Sequence, residues 1–387
     1  MLNPGEDKRL RSGHPWVFSN EIREIRGEKI PGAAVQVCNS DGRFIGTGYY
    51  NPSSLIAVRI LSRELVDIDS MTFFRDRIAK ARTYRHAIYP GRESFRAVYS
   101  EGDSLPGLIV DKYGDFLAVQ FLTRGMDSRR DMIIAALLDI FSPRGIVGRN
   151  DAPVRILEGL EEKVEILYGE APAVIHVEEH GIRIGVDIQR GQKTGHFFDQ
   201  KDNHALMKSI SRNKDVLDCF SYTGSWGLHA AHFGAATVTC VDVSERALVL
   251  ARENAEINGL SKQMRFEAVD AFDRLKSLKS EGRDFDIVVL DPPAFVKSRK
   301  TIKEASKGYL TVNRRAIELL REDGYLITCS CSYHMGREMF REVLTKAARL
   351  AGREMRILEN RGQAYDHPVL LSVPETDYLK CFLLQVV

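Results

Sequence analysis

Hydrophobic and polar positions change their period twice along the chain. From residue 33 to 61 the short apolar runs AAVQVC, FIGTGYY and LIAVRIL are broken by the turn signals Asn39-Ser40-Asp41-Gly42 and Asn51-Pro52. That pattern predicts a small β-rich unit. A polar interval over 62–69 precedes a helical pattern over 71–86, and strand-like segments in LIVDKYGDFLAVQFL lead to another helix over 129–141. This stretch is expected to be a mixed α/β unit. Residues 175–188, IHVEEHGIRIGVDI, alternate apolar and polar positions around His180-Gly181 and predict a β-hairpin.

After Asp215 strands alternate with helices. DVLDCF, TVTCVDV, MRFEAV, FDIVVLDPP and YLITCSCS are the strands, with a helix over 245–258 and a long basic helix before the last strand. Such alternation predicts a parallel, doubly wound sheet. The fold class is therefore α/β, a doubly wound C-terminal sheet preceded by a small β unit and a mixed α/β unit. Expected boundaries are 1–70, 71–178 and 179–387, and no repeat at solenoid period interrupts them. Ligands on a parallel sheet sit beyond the carboxyl ends of its strands. The positions of interest are thus 218–227, Asp242, Asp270, 291–295 and 329–332.

Length and composition narrow this further. A chain of 387 residues outgrows a single core, and 44% hydrophobic with 28% charged residues is an ordinary globular balance. The start of the chain is polar, and the longest apolar stretch, 133–141, is short and interrupted by Asp139, so no membrane segment and a cytoplasmic address are expected. Six cysteines without a CxxC pair fit neither a disulfide framework nor a zinc site, and no metal is expected. The net charge of +2 decides nothing, but two basic clusters stand out. One comprises Arg75, Arg77, Lys80, Arg82 and Arg85. The other comprises Lys297, Arg299, Lys300, Lys303, Lys307, Arg314 and Arg315, opposed only by Glu304.

In DCFSYTGSWGLHAA, Gly224 and Gly227 stand between a strand and a helix, where the backbone can approach a ligand at the helix N-terminus. The run lacks GxGxxG, which excludes the dinucleotide fingerprint, and lacks a Gly-Lys-Ser/Thr triphosphate cradle. Asp242 ends the next strand, where an acid accepts hydrogen bonds from ribose hydroxyls. DCFSYTG, VDVSERAL, ENAEINGL, VDAF and LDPPAF together resemble, in order and spacing, the motifs of class I S-adenosylmethionine (SAM)-dependent methyltransferases. The resemblance implies that Asp242 holds the ribose, Asp270 the adenine, and Asp218 and Gly224 the methionine part. Phe220, Ser244, Ala271 and Asp291 are implied as further cofactor contacts.

Two cysteines, Cys329 and Cys331, close the strand YLITCSCS, and alternation points both to the same side, so geometry alone does not choose between them. A thiolate that adds to C6 of a pyrimidine makes C5 nucleophilic enough to take a methyl group. TCSCS, with Cys331 between Ser330 and Ser332, resembles the motif in which RNA 5-methylpyrimidine enzymes carry their nucleophile, which implies Cys331 as nucleophile. Those with two cysteines carry the second after the proline pair, where this chain has Ala294. Asp291 is expected to contact N3 of the base. An exocyclic-amine chemistry uses Asp/Asn-Pro-Pro-Tyr/Phe instead, and here Ala294 separates Pro293 from Phe295.

LRSGHPWVFSNEI and PGAAVQVCNSDGRFIGTGYYNP resemble a PUA domain, a β-barrel of RNA-modifying enzymes. With Glu178-Glu179-His180-Gly181 and GQKTGHFFDQKDN, the whole chain resembles the bacterial ribosomal RNA large-subunit methyltransferase I-like family. That resemblance implies 5-methylcytidine in 23S ribosomal RNA as product, cofactor contacts at Thr194, Phe197 and Gln200, and a homodimer. A methyltransferase for 5-methyluridine or an exocyclic amine, and an RNA-binding assembly factor with vestigial SAM binding, are the alternatives.

Overall fold

Residues 1–295 and 302–387 are described by the structure, a computed structural model. They form two units, one of Met1–Val177, Val186–Phe198 and Tyr365–Thr376, the other of Glu178–Gly185, Asp199–Ala364 and Asp377–Val387. In the first unit the predicted β-rich start is an antiparallel sheet of β1 (Trp16–Val17), β2 (Ala34–Cys38), β3 (Phe44–Tyr50) and β4 (Val58–Ser62), in the order β1-β4-β3-β2. Leu2, Leu10, Val17, Val37, Tyr50, Val58 and Ile60 make its core.

The mixed segment that follows has its own sheet. Strands β5 (Ser94–Tyr99), β6 (Leu108–Tyr113), β7 (Phe116–Phe121), β8 (Gly145–Asn150) and β9 (Lys163–Gly169) lie in sequence order, antiparallel except for β7 and β8. Two helices accompany it, α1 (Met71–Ile88) and α2 (Arg130–Phe141), and both contribute to its core. Helix α1 buries Phe74, Ile78, Ala81 and Arg85, the i, i+4, i+7 spacing of one helix face. Its basic cluster is therefore split. Arg75, Lys80 and Arg82 are exposed and Arg77 is half-buried; Arg77 donates to the Ser104 carbonyl at 3.0 Å and Arg82 to the Ile140 carbonyl at 2.8 Å. Arg85 is fully buried, pairs with Asp103, and donates to the carbonyls of Arg96 at 2.8 Å and Asp366 at 2.7 Å.

The predicted hairpin is β10 (Ile175–Glu179) with β11 (Ile182–Val186), and its turn residues His180 and Gly181 both have positive φ, 49° and 85°. In the second unit a seven-stranded sheet runs β14-β13-β12-β15-β16-β18-β17. Its strands are β12 (Asp215–Cys219), β13 (Thr237–Asp242), β14 (Met264–Ala268), β15 (Phe285–Leu290), β16 (Leu320–Ser330), β17 (Met355–Arg361) and β18 (Lys380–Val386). The first five in sequence pair in parallel, as predicted, and β18 and β17 add an antiparallel edge. Helices α3 (Ser225–His232), α4 (Glu245–Ile257), α5 (Ala271–Ser280), α6 (Ile302–Glu318) and α7 (Arg337–Ala351) connect or flank these strands. Strand order reverses between β12 and β15, so the crevice of the sheet opens at the carboxyl ends of these two strands. Among the described residues no helix is long and apolar enough to cross a membrane.

Removing one partner of a buried ion pair leaves the other charge without solvent. Arg85→Met should therefore cost about 3–5 kcal/mol, because Asp103 and two carbonyls lose their donor. Urea unfolding of the full chain checks this, and a loss below about 1 kcal/mol would mean that water reaches Asp103.

Candidate active site

At the end of β12 a buried carboxylate opens the site. Oδ2 of Asp218 accepts the Gly227 N–H at 2.9 Å, which ties the strand to the first turn of α3. Gly227 cannot carry a side chain there, because a Cβ would lie 2.5 Å from Cys240 Sγ. The loop between these anchors is strained. Phe220 and Tyr222 have φ of 63° and 50°, a region that L side chains rarely adopt, and Gly224 at 81° caps α3. Among the described residues Oδ1 of Asp218 and Oγ of Ser221 are buried without a hydrogen-bond partner. Burial pushes the Asp218 carboxyl well up, with the neighbouring Asp291 and Asp242 charges adding to it.

The next two strand ends are organised by short-range capping. Asp242 Oδ2 accepts the Tyr222 N–H at 2.8 Å and Oδ1 accepts the Ser244 N–H at 2.9 Å, so Asp242 holds the glycine loop to the start of α4. Ser244 caps α4 through Ala247 N at 3.2 Å. Asp270 caps α5 through Oδ1, which accepts from Phe272 N and Asp273 N, and the residue is exposed; Ala271 is buried behind it. The asparagines of ENAEIN have a packing role. Asn254 Oδ1 accepts the Gly185 N–H at 2.6 Å and Asn258 Oδ1 the Arg183 N–H at 2.9 Å, which fastens β11 to α4.

Asp291, at the end of β15, is the centre of a buried network that the sequence did not reveal. Its Oδ2 accepts from Gln200 Nε2 at 2.9 Å and Trp226 Nε1 at 3.1 Å. Asn203 orients the Gln200 amide by donating to its Oε1 at 2.7 Å. The Trp226 ring meets His204 edge-on at 4.7 Å, and His204 Nδ1 is 2.5 Å from Glu179 Oε1, the second acid of the Glu-Glu-His-Gly hairpin. His204 also stacks on His229 at 4.8 Å, and burial, then His204, drives the His229 imidazole down to about 3, so it is neutral. Burial raises the Asp291 carboxyl to about 6 despite the two donors, which act to lower it.

The two cysteines separate here. Strand pairing ends at Ser330, so alternation no longer governs Cys331. Cys329 sits opposite Cys381, fully buried, and burial raises its thiol well above the ordinary range, with Cys381 adding to that. Cys331 is half-buried and its thiol donates to the Pro292 carbonyl at 3.9 Å. The residue after Asp291 thus touches Cys331. Phe295 packs against Phe220 at 6.3 Å, Phe272 at 5.8 Å and Tyr309 at 4.7 Å.

Ten predicted residues share this unit: Asp218, Phe220, Gly224, Asp242, Ser244, Asp270, Ala271, Asp291, Gln200 and Cys331. Thr194 and Phe197 belong to the other one, where the buried Thr194 hydroxyl donates to Asp111 at 2.5 Å and Lys193 lies over the Phe197 ring at 4.7 Å. Trp226, His204, Tyr309 and Lys380 were not singled out from the sequence; an indole or a lysine has no spacing that marks it. Of the second basic cluster, Lys297, Arg299 and Lys300 lie outside the described residues. Lys303 and Lys307 are exposed on α6, Arg314 pairs with Glu318 at 2.7 Å, and Arg315 donates to the Phe272 carbonyl at 2.7 Å.

Known proteins share both the sequence and the shape. A PUA-like domain family matches residues 1–63, and an S-adenosylmethionine-dependent methyltransferase family matches 159–369. Over its whole length the chain is 39% identical to ribosomal RNA large subunit methyltransferase I of Shewanella amazonensis, covering 98% of that protein. It is 37% identical to the protein of the same name from Shigella dysenteriae, again over 98% of it. A Streptococcus mutans protein assigned as a SAM-dependent methyltransferase matches 100% of this chain and 99% of its own, with TM-score 0.86 and 25% identity. A further solved structure, of a protein assigned as a methyltransferase and complexed with SAH, covers 98% of both chains with TM-score 0.86 and 26% identity.

The raised Asp291 carboxyl has a consequence for stability. Its folded pKa lies above its unfolded one, so its contribution is full below the unfolded value of 3.8 and is lost as pH rises through about 6. Asp291→Asn keeps an acceptor for Gln200 and Trp226 without the charge. The variant without ligand should gain on the order of 2 kcal/mol over the parent at pH 8 and nothing below pH 4. Thermal unfolding at both pH values tests it; equal differences at the two would show that Asp291 is solvated.

Proposed function

Because the chain belongs to the ribosomal RNA large subunit methyltransferase I family, a PUA-like domain with a SAM-dependent methyltransferase domain, we propose that it makes 5-methylcytidine in large-subunit ribosomal RNA through a covalent adduct at Cys331. The observation that carries this proposal is the 3.9 Å contact of the Cys331 thiol with the Pro292 carbonyl, which joins the nucleophile to the Asp291 segment. The unpartnered Asp218 Oδ1 and Ser221 Oγ fit the polar, cationic methionine end of the cofactor. Asp242 would take the ribose, Asp270 and Ala271 the adenine, and Phe220, Gly224, Ser244 and Gln200 the surrounding contacts. Thr194 and Phe197 join them on the family likeness. When bound, the cofactor supplies a methyl group on a sulfonium.

The remaining steps fall to this chain and its substrate. Cytidine must leave its stack to reach a site at a strand end, which single-stranded or splayed RNA makes cheap. The Cys331 thiolate forms a bond to C6, and the C5–C6 electrons become available at C5, which takes the methyl group. Loss of the C5 proton and departure of the thiolate restore the ring. Asp291, with a carboxyl near 6, shares a proton with N3 and makes C6 more electrophilic. An exocyclic-amine acceptor would need an aromatic platform after the proline pair, whereas Phe295 is engaged with Tyr309, Phe272 and Phe220. That supports C5 as acceptor.

In this proposal residues 1–70 and 71–178 hold RNA, residues 179–387 carry out the transfer, and the family likeness extends to a homodimer. Lys303 and Lys307, exposed on α6, would take phosphate contacts.

Wild type incubated with SAM and large-subunit ribosomal RNA from cells lacking the modification should yield 5-methylcytidine on nucleoside mass spectrometry. Cys331→Ala should lose at least about 10³-fold in rate. Methylated uridine, adenine or guanine from the wild type would overturn the cytosine assignment. RNA affinity should also fall steeply between 50 and 200 mM salt, roughly tenfold or more if a few phosphates are contacted. A flat titration by filter binding would contradict the phosphate role of Lys303 and Lys307.

A further inference from the structure

Lys380 is buried at the first residue of β18, opposite Ser330, the last paired residue of β16. Its Nζ donates to the Ser332 carbonyl at 2.7 Å and the Tyr378 carbonyl at 2.8 Å. Among the described residues no carboxylate lies within ion-pair distance of this ammonium. Buried cations are costly unless an anion accompanies them. Two carbonyls satisfy donors but supply no charge.

The same short turn is held from the other side. Ser330 Oγ donates to the Tyr309 hydroxyl at 3.0 Å, which leaves the single phenolic proton for Ser332 Oγ at 3.0 Å. Both residues flanking Cys331 are thereby fixed, one pair of contacts running through Tyr309 and one through Lys380. We propose that Lys380 is the positioning residue of the cysteine site: its ammonium fixes the turn that presents Cys331 and supplies the positive charge that favours the thiolate. This inference rests on the assignment of Cys331 as nucleophile and deepens it.

Charge in the neighbourhood agrees with that role. Burial pulls the Lys380 ammonium down to about 8, and Cys331 is the first of the groups that raise it again, followed by Asp377, while Arg337 lowers it. Arg337 lies 4.0 Å from Asp377 and so opposes part of that acid's field. Tyr309 faces Cys331 from α6, and burial raises its phenol, so it remains neutral when the thiol ionises. A thiolate is the anion that completes the Lys380 environment. In forming it at neutral pH, below the value of about 8 for Lys380, Cys331 gives its proton to solvent while Lys380 remains an ammonium, so the pair acts without proton transfer between them.

The test is the pH dependence of Cys331 alkylation by iodoacetamide in the full-length protein, followed by peptide mass spectrometry. Wild-type Cys331 should be half-ionised below the ordinary thiol value of about 8.5. In Lys380→Met the half-point should rise by about one unit or more, so that alkylation at pH 7 slows roughly tenfold, and Lys380→Arg should restore it. SAH binding by calorimetry shows that the variants are folded. A wild-type half-point at or above the ordinary value overturns the proposal whether or not Lys380→Met folds, as does an unmoved half-point in a folded Lys380→Met. A Cys331→Ala enzyme that still makes 5-methylcytidine would sink the nucleophile assignment instead, and leaves the alkylation profile to decide on Lys380.

Discussion

The Gly227 N–H, reaching back 2.9 Å to Oδ2 of a buried aspartate in β12, sets the path of the chain between them. Asp218 has to be buried to sit in the central strand, and Gly227 has to be glycine because Cys240 sulfur occupies the space of its side chain. With both ends fixed, the intervening loop takes positive φ at Phe220 and Tyr222, and the Asp242 carboxylate holds the second of these through its N–H. Strain of this sort persists only where surrounding structure over-determines it, and it is concentrated where backbone must approach a ligand. The course of this loop is thus a product of the packing of β12 against β13.

Burial also decides the electrostatics. Asp218 and Asp291 stand at the ends of neighbouring parallel strands, and both carboxyls are raised chiefly by burial, with the Asp291 and Asp242 charges adding at Asp218 and the Asp199 charge adding at Asp291. Two donors cannot undo this at Asp291, whose carboxyl still lies near 6. The apolar sheet ends therefore hold two acids whose charged forms are disfavoured. The Glu179–His204–Trp226–Asp291 chain shows how far the support extends. A hairpin motif distant in sequence from Asp291 thus reaches its carboxylate through an imidazole and an indole.

At the cysteine end the same principle works in reverse. Cys329 and Cys331 are chemically identical in sequence and two residues apart, yet the first is paired opposite Cys381 in the sheet and the second lies past the last paired residue. Burial suppresses ionisation of Cys329. Cys331 remains half-buried, touches the Pro292 carbonyl, and has a buried lysine tied to the residue after it.

Much of this molecule was legible in one dimension. The alternation of strands and helices after Asp215 determined the parallel sheet, because a buried strand must be apolar and a crossover helix amphipathic whatever surrounds them. The order of acidic and glycine positions marked the strand ends where the sheet opens, for the same local reason. Local pattern said nothing of β17 and β18 as the antiparallel edge, of Trp226 and His204 behind Asp291, or of Lys380 behind Cys331. Nor did it show that three of the α1 arginines bond to backbone carbonyls and one of them is buried, since a charge run has the same spacing whether its heads meet water or carbonyls. Periodicity encodes which face of an element is buried. Which residue, far away in sequence, that face meets is decided only when the elements pack, and pKa, nucleophile and network all depend on that meeting.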